Sequence, residues 1–252
     1  MPILAWRPDV RRIRNRRYGP ARRGNRLDVY LSRRRRRTDA PVLVYLHGGA
    51  FRMGSRMLGA HALLYRLAAQ GWVCVSADYR LSRTGYHDQL ADARAAVAWA
   101  RTNAPGFGGS PDTIFVAGGS SGAYLAATAA LSGTPVRGVI GLYGYYGDVG
   151  DRRPGPTSPQ HCINPDAPPF LIIHGSLDTL VLAEDARGFA ARLRTVSRQP
   201  VVYAELPGTG HNFDFFHSLR FHAVTDAIAR FASLTGGTNR VGGSRSARSP
   251  RS

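Results

Sequence analysis

The sequence predicts an α/β fold in which a mostly parallel sheet is covered by helices on both faces. Short apolar runs alternate along the chain with segments whose apolar residues recur at helical spacing, which is the pattern of βαβ units. The run Pro41–Leu46 (PVLVYL) contains no charged residue, as expected for a strand buried on both faces. The length of 252 residues accommodates one sizeable domain of this kind.

The individual elements follow from the same two periodicities. Residues Arg26–Leu31 alternate and predict an edge strand, and the helical segment His61–Gln70 stops at Gly71. Continuous apolar or alternating runs predict further strands at Pro41–Leu46, Val73–Ala77, Thr113–Ala117, Val136–Leu142, Phe170–His174 and Pro200–Leu206. Helical spacing predicts further helices at Asp88–Thr102, Ser121–Leu131, Ala183–Thr195 and Ala223–Leu234.

Positive charge is concentrated at the two ends of the chain. The chain has a formal charge of +18, and all 34 basic residues are arginine. Residues 1–40 hold 14 arginines and 3 acids, whereas residues 41–234 hold 16 arginines and 13 acids. A nucleic-acid-binding domain usually carries its charge on the folded face that contacts the ligand, so nucleic acid is not an expected partner.

This charge distribution divides the chain into three parts. We expect a basic N-terminal arm over residues 1–24, a globular domain over 25–234, and a disordered basic C-terminal tail over 235–252. The arm is suited to an anionic membrane surface, and the run Arg33–Arg37 is either a solvated loop or a second anion-binding patch.

The termini and the cysteines favour the cytoplasm. Residues 1–10 contain no apolar stretch of signal-peptide length, and no run of 18 apolar residues predicts a membrane-spanning helix. The two cysteines, Cys74 and Cys162, do not form a disulfide framework. We therefore expect a cytoplasmic protein, with a peripheral position at the membrane as an option if the basic arm binds lipid.

A Gly-rich serine motif lies between a predicted strand and a predicted helix. Residues 118–122 read GGSSG and fit the G-x-S-x-G pattern of a nucleophile elbow, which requires this strand–turn–helix context. Glycines are needed because side chains would clash in so tight a turn. The motif makes Ser120 the candidate nucleophile.

A second glycine motif follows the strand Pro41–Leu46. Residues 47–51 read HGGAF and resemble an oxyanion loop of the H-G-G-G type. We expect the backbone N–H groups of Gly49, Ala50 and Ser121 to stabilise a developing oxyanion. His47 is interpreted as a structural residue that orients this loop.

An acid and a histidine follow two later strands. Asp178 lies in the sequence HGSLD after one strand, and His211 ends the sequence GTGH after the next. The order Ser120, Asp178, His211, with each residue after a strand, is that of the α/β-hydrolase triad. The other histidines, such as His61, His87, His217 and His222, are interpreted as surface or packing residues without a catalytic partner. No cluster of ligating residues indicates a metal, and we expect no cofactor.

Over residues 25–234 the chain resembles the α/β-hydrolase superfamily, specifically the hormone-sensitive-lipase-like esterases and the acetyl-esterase and kynurenine-formamidase-like relatives. The resemblance implies that Ser120 is the nucleophile, His211 the general base and Asp178 its orienting acid. It also implies a structural pairing of Asp78 with Arg80. The motifs that carry it are HGGAFRMGS at 47–55, SADYRLS at 76–82, HDQLADARAAVAWA at 87–100, GGSSGA at 118–123, HGSLDTLV at 174–181 and GTGHNF at 208–213.

The sequence departs from this family in its lid. Relatives carry a helical cap built largely from the N-terminus, but about 24 residues precede the first predicted strand here, and Gly144–Pro169 is short for a lid. We expect a minimal or absent cap and an open site completed by Phe51, Tyr145 and Tyr146. Either the protein has no lid or a region upstream of Met1 is missing.

Three functions are compatible with the sequence. The first is a serine hydrolase that cleaves small or medium carboxylic esters through an acyl-enzyme. The second is an arylformamidase or peptidase with the same triad. The third is an inactive hydrolase scaffold that binds an anionic membrane or RNA through the arginine-rich arm. The oligomeric state and the acyl and alcohol groups of a substrate are not predicted.

Overall fold

The computed structural model describes residues 7–34, 38–81, 85–149, 158–215 and 218–236. Eight strands run in chain order as β1 Val10–Arg17, β2 Arg26–Ser32, β3 Ala40–Leu46, β4 Val73–Ala77, β5 Gly109–Gly119, β6 Gly138–Leu142, β7 Phe170–Gly175 and β8 Val201–Leu206. Five α-helices are α1 His61–Ala69, α2 Tyr86–Asn103, α3 Ser121–Leu131, α4 Ala183–Val196 and α5 Leu219–Gly236. Two 3₁₀ turns cover Ala104–Phe107 and Pro159–Cys162.

All eight strands form one sheet in the order β1-β2-β4-β3-β5-β6-β7-β8. Strands β3 to β8 run parallel to one another. Strand β2 runs antiparallel to β4, and β1 runs antiparallel to β2. The predicted α/β fold with a mostly parallel sheet is therefore confirmed.

The edge strand differs from the predicted one. The prediction that Arg26–Leu31 lies at the edge is wrong, because β1 pairs with it from Val10↔Ser32 to Arg17↔Arg26. The sequence of β1, VRRIRNRR, lacks the apolar alternation of a strand. Charged side chains of this kind are common on edge strands, where they discourage pairing with another chain.

The predicted domain limits change accordingly. Residues 10–17 of the predicted arm belong to the sheet, so the arm is not separate from the domain over these residues. At the other end α5 continues to Gly236, two residues beyond the predicted domain limit. Residues 1–6, Arg35–Arg37, 150–157 of the predicted short lid segment, and 237–252 of the predicted tail lie outside the described residues.

The core has two layers, one on each face of the sheet. Alternate residues of β3 belong to different layers: Val42 and Val44 pack with α2, α3 and α4, while Leu43 and Tyr45 pack with α1 and α5. Each such apolar side chain contributes on the order of 1.5–3 kcal/mol when it is fully buried. Burial on both faces explains why the central strands are continuous apolar runs.

A buried network of ion pairs joins β1 and β2 to the loop that follows β3. The Asp28 carboxylate is fully buried and accepts hydrogen bonds from Arg12 Nε (2.9 Å), Arg56 Nε (2.9 Å) and Asn15 N (2.8 Å). Burial alone raises the pKa of Asp28, but these hydrogen bonds outweigh it, so that the pKa lies below its usual value. Arg56 also pairs with Asp78.

The predicted pairing of Asp78 with Arg80 is wrong. Arg80 turns instead toward α2, where Nε and Nη2 each lie 2.8 Å from an oxygen of Asp92. This two-bond arrangement is the geometry that a guanidinium group favours with a carboxylate. Asp78 is left to receive Arg56, including its backbone N–H at 2.6 Å from Oδ1.

The parallel arrangement gathers the sequence motifs at one edge. The carboxyl ends of β3, β5, β7 and β8 lie at the same side of the sheet, and their loops carry the HGGAF, GGSSG, HGSLD and GTGH motifs. Open parallel sheets commonly bind ligands at this edge. Among the described helices, none is long and apolar enough to cross a membrane.

Candidate active site

Ser120 lies in the tight turn between β5 and α3. Its backbone has φ 53° and ψ −121°, and it directly precedes the first residue of the helix. A Cβ atom on Gly122 would lie 2.6 Å from the carbonyl oxygen of His47, and one on Gly118 would overlap the backbone of Gly122. Ser120 is half-exposed, and its N–H donates to the carbonyl of Leu142 at 3.0 Å. The local structure is the strand–turn–helix that a nucleophile elbow requires.

Asp178 and His211 are in direct contact. Asp178 Oδ2 lies 2.7 Å from His211 Nδ1, and its other oxygen accepts the N–H groups of Leu180 and Val181 at 3.0 Å each. Asp178 is buried, and these three hydrogen bonds hold its carboxylate in a fixed orientation. His174 Nε2 also lies 3.1 Å from Oδ2, but its hydrogen bond is with the carbonyl oxygen of Val181 at 2.9 Å. His174 is thus a buried residue, as the interpretation of the other histidines as surface or packing residues allows, and it adjoins the candidate acid.

Ser120 is linked to this pair through Tyr143, at the end of β6. The Tyr143 ring packs edge-on against the His211 imidazole, with centroids 4.7 Å apart. The same ring lies against Gly119, where an added Cβ would be 2.7 Å from Tyr143 Cζ. Among the described residues, Ser120 Oγ makes no hydrogen bond with His211. Such bonds often form only when substrate binds.

The loop after β3 has an unusual backbone. Gly49, Ala50 and Phe51 have successive φ values of 130°, 51° and 63°. An added Cβ on Gly49 would lie 2.6 Å from the carbonyl carbon of Met53, so only glycine fits. Within the described chain, the N–H groups of Gly49, Ala50 and Ser121 donate to no acceptor. They are therefore available to a ligand oxygen.

His47 has the structural character expected of it. Its Nδ1 lies 2.8 Å from the carbonyl of Gly48, and its ring stacks on Tyr79 at 4.3 Å. Tyr79 Oη donates to the carbonyl of His47 at 2.9 Å. Burial lowers the pKa of His47, which favours the neutral imidazole. These contacts fix the direction of the glycine loop.

The three residues expected to contact substrate fall into two groups. Phe51 and Tyr145 are half-buried and both pack on Tyr124 of α3, with ring centroids 5.2 Å and 6.1 Å away. Tyr146 is different, because its side chain is 1% exposed and stacks on Phe189 at 4.2 Å. The expectation that Tyr146 completes the open site is wrong, since its ring belongs to the core beneath the sheet edge.

The sequence reasoning missed Asp214 and the role of Tyr143. Asp214 is 1% exposed and accepts a hydrogen bond from Tyr143 Oη at 2.6 Å. The two residues are 71 positions apart, so no local spacing links them. The available signal was an acid three residues after His211, in a loop that otherwise carries aromatic residues.

Backbone strain is concentrated at this edge. Seven described residues other than glycine have positive φ. Six of them lie in the loops after β3, β5, β6 and β8, and five of these six belong to or adjoin the candidate site. Residues in this region of φ cost on the order of 1–3 kcal/mol each and cluster at functional sites. The five are Ala50, Phe51, Ser120, Tyr143 and Asn212.

Comparisons with known proteins find one matching family and several similar esterases. The family described as BD-FAE matches residues 27–140. Esterase LipC of Mycobacterium tuberculosis is 38% identical, over 87% of this chain and 66% of its own length. The probable carboxylic ester hydrolase LipM of the same organism is 35% identical, over 89% of this chain and 62% of its own length. This chain thus spans slightly less than two thirds of each relative.

A solved structure supports the fold over nearly the whole chain. Esterase 2 of Thermogutta terrifontis, phosphonylated by sarin, superposes with a TM-score of 0.76 at 22% identity. The match covers 90% of this chain and 96% of that structure. Together with the topology of the sheet, this match shows that the chain has the α/β-hydrolase fold, and over most of its length the chain is similar to the esterases named above.

Proposed function

We propose that this chain hydrolyses carboxylic esters, with Ser120 as nucleophile, His211 as general base and Asp178 as its orienting acid. The observation that carries the proposal is the Asp178–His211 hydrogen bond of 2.7 Å at the same sheet edge as the strained Ser120 turn. Two relatives that are named as ester hydrolases match 87–89% of this chain, which supports an ester as the bond that is cleaved.

The first half of the reaction forms an acyl-enzyme. His211 Nε2 accepts the proton of Ser120 Oγ as that oxygen attacks the ester carbonyl. Asp178 accepts the Nδ1–H of His211, which fixes the tautomer and stabilises the imidazolium that forms. The N–H groups of Leu180 and Val181 hold the Asp178 carboxylate in place during this step.

The oxyanion loop stabilises the tetrahedral intermediate. The unpaired N–H groups of Gly49, Ala50 and Ser121 receive the negative oxygen, and loss of one such donor typically costs about 10²–10³ in kcat. His211 then donates its proton to the leaving alkoxide. A water molecule attacks the acyl-enzyme in the reverse sequence, with His211 again as base.

The substrate is a small or medium acyl ester. Phe51 adjoins Ala50 of the oxyanion loop, and Tyr145 follows the strand next to β5, so we infer that their rings border the space where the substrate binds at Ser120. Both pack on Tyr124, four residues after Ser120 on α3. This aromatic side favours an apolar acyl or alcohol group.

The basic edge of the sheet supports a peripheral contact with an anionic membrane. Arg11, Arg14, Arg16 and Arg17 of β1 are exposed, and within the described part of the chain β1 has no strand neighbour on its outer side. Lipid vesicles containing phosphatidylglycerol should sediment with the protein at low salt and release it at high salt. Equal sedimentation with neutral vesicles, or none with either, would contradict this contact.

The catalytic proposal is tested by ester turnover and by active-site labelling. Ser120→Ala should reduce hydrolysis of p-nitrophenyl acetate and butyrate to background and should prevent labelling by a fluorophosphonate. Ser233→Ala, which changes an exposed serine on α5, serves as the matched control. Equal turnover by Ser120→Ala and the parent would refute the proposal.

A substrate panel separates ester from amide cleavage. The parent is compared on a p-nitrophenyl ester, a formanilide and a dipeptide at the same concentration. We expect kcat/KM to be highest for the ester. A preference for the formanilide or dipeptide, with labelling of Ser120 retained, would keep the triad and reassign the substrate.

A further inference from the structure

A buried polar cluster that the proposed mechanism does not use lies beneath the candidate site. Its centre is the Asp214 carboxyl group, which is 1% exposed. Three donors converge on it: Tyr143 Oη at 2.6 Å, the N–H of Ala60 at 3.2 Å and Tyr45 Oη at 3.4 Å. A buried carboxyl group is costly unless it is hydrogen-bonded, so the cluster has a defined arrangement rather than a loose one.

Tyr143 connects this cluster to both halves of the triad. Its ring contacts the His211 imidazole at a centroid distance of 4.7 Å, and its hydroxyl end lies against Gly119. The preceding residue, Leu142, accepts the backbone N–H of Ser120 at 3.0 Å. One short segment at the end of β6 therefore contacts the turn that carries the nucleophile and the ring of the base.

Asp214 fixes the loop that carries His211. It follows His211 by three residues, and its bonds reach β3 through Tyr45, the start of α1 through Ala60, and the end of β6 through Tyr143. Phe213, which lies between His211 and Asp214 in the chain, packs edge-on against the Tyr143 ring with centroids 5.1 Å apart. These contacts tie the loop to the sheet. Among the described residues, the His211 imidazole itself hydrogen-bonds only with Asp178.

The protonation behaviour of the pair agrees with this geometry. Burial raises the pKa of Tyr143 well above its usual value, so the hydroxyl remains a donor throughout the working pH range. Burial also raises the pKa of Asp214, although the hydrogen bonds from Tyr143, Ala60 and Tyr45 act in the opposite direction. Asp214 keeps an oxygen that can accept the Tyr143 hydroxyl whether its carboxyl group is ionised or protonated.

We propose that Tyr143 and Asp214 form a positioning pair that holds His211 at the distance and angle to Ser120 that proton transfer requires. The proposal rests on the proposed function, because it assigns a role to residues that act through His211 and the Ser120 turn. Neither residue touches the reacting atoms. A displacement of about 1 Å in a catalytic group can cost up to about 10²-fold in rate, so loss of the bond should lower kcat rather than substrate binding.

The test compares two hydroxyl deletions that differ in their connection to His211. Tyr143→Phe keeps the ring against the imidazole and removes the bond to Asp214. Tyr30→Phe is the matched control, because Tyr30 is also buried and its hydroxyl has no hydrogen-bond partner among the described residues. We expect Tyr143→Phe to lower kcat by about tenfold with KM within about twofold of the parent, whereas Tyr30→Phe leaves both constants unchanged.

Variants of Asp214 provide the rescue experiment. Asp214→Asn keeps an oxygen that can accept the Tyr143 hydroxyl, whereas Asp214→Leu has a similar size and no acceptor. We expect Asp214→Asn to retain a higher kcat than Asp214→Leu. In the Tyr143→Phe background, Asp214→Asn should lower kcat little further, because the effects of two substitutions that remove the same bond are not additive.

Labelling by a fluorophosphonate separates positioning from stability and from the proposed function. The final labelled fraction counts folded protein, and the rate constant of labelling reports on the Ser120–His211 geometry. A slower rate at an unchanged final fraction supports the proposal. Labelling of Tyr143→Phe at the parent rate, or an equal loss in Tyr30→Phe, would overturn it. A parent that is not labelled at all would refute the proposed function itself.

Discussion

The substitution Asp28→Ala examines whether the buried ion network stabilises the edge of the sheet. The Asp28 side chain is fully buried, and those of its partners Arg12 and Arg56 are only 9% and 13% exposed. Removing the carboxylate leaves the Arg12 guanidinium without a partner acid and leaves Arg56 with Asp78 alone. Breaking a buried pair in this way costs about 3–5 kcal/mol, which is the expected loss in the free energy of unfolding.

Urea unfolding followed by tryptophan fluorescence measures this loss. The chain has three tryptophans, and a protein of this size has a urea dependence of about 3 kcal/mol per molar. The expected loss therefore lowers the urea midpoint by about 1–1.7 M. The matched control is Asp166→Asn, which breaks the pair of Asp166 with Arg198. The side chain of Arg198 is 75% exposed and that of Asp166 is 85% exposed. An exposed pair of this kind is worth about 0–1 kcal/mol.

One result would refute the reasoning. If Asp28→Ala and Asp166→Asn shift the urea midpoint by the same amount at an unchanged urea dependence, the buried network contributes no more than a surface pair. Arg56→Met provides a second measurement, because it deprives both Asp28 and Asp78 of the same cation. It should destabilise the fold at least as strongly as Asp28→Ala.

Further predictions concern the active site and pH. Asp178→Asn should lower kcat on p-nitrophenyl butyrate by about 10²–10⁴-fold without a comparable change in KM, with Asp166→Asn as control; a loss confined to KM would contradict the assigned role. Gly49→Ala should abolish most turnover, because the added Cβ collides with the backbone of Met53 and displaces the oxyanion donors; full activity would show that this loop does not bind the oxyanion. The lowered pKa of Asp28 means that its stabilisation is present above the unfolded-state pKa of about 3.9 and is lost as pH falls toward the folded-state pKa. The urea midpoint of the parent should therefore fall more steeply below about pH 4 than that of Asp28→Asn, and parallel curves would contradict the shift.

Much of the fold could be predicted because its central strands are buried on both faces. Val73–Ala77 and Ser121–Leu131 have the predicted limits, since the first is a short apolar run that begins soon after a glycine and the second is an Ala-rich segment that follows the GGSSG turn. Strand β1 was missed because its stability comes from hydrogen bonds with β2 and from the Arg12–Asp28 pair, not from an apolar pattern. Periodicity reports on side chains that face a core, and most of β1 faces solvent.

The candidate site was likewise predictable only in part. Residues fixed by a local motif, such as Ser120 and Gly49, lie where the motif places them in the chain. Tyr146 was misassigned because both tyrosines lie in the loop after β6, where no periodicity indicates which ring faces the site and which packs in the core. Asp214 and Tyr143 meet only through the packing of β6 against the last loop, which no spacing in the sequence encodes.

The strained backbone at the sheet edge has a consequence for engineering. Five non-glycine residues with positive φ surround the candidate site, and the rest of the fold must supply the free energy that holds them there. Glycine at Ala50 would relieve part of this cost in the folded state, although it would also add freedom to the unfolded chain. Selection for heat resistance alone is therefore expected to relax this edge at the expense of turnover, so a thermostability screen on this protein needs an activity threshold from its first round.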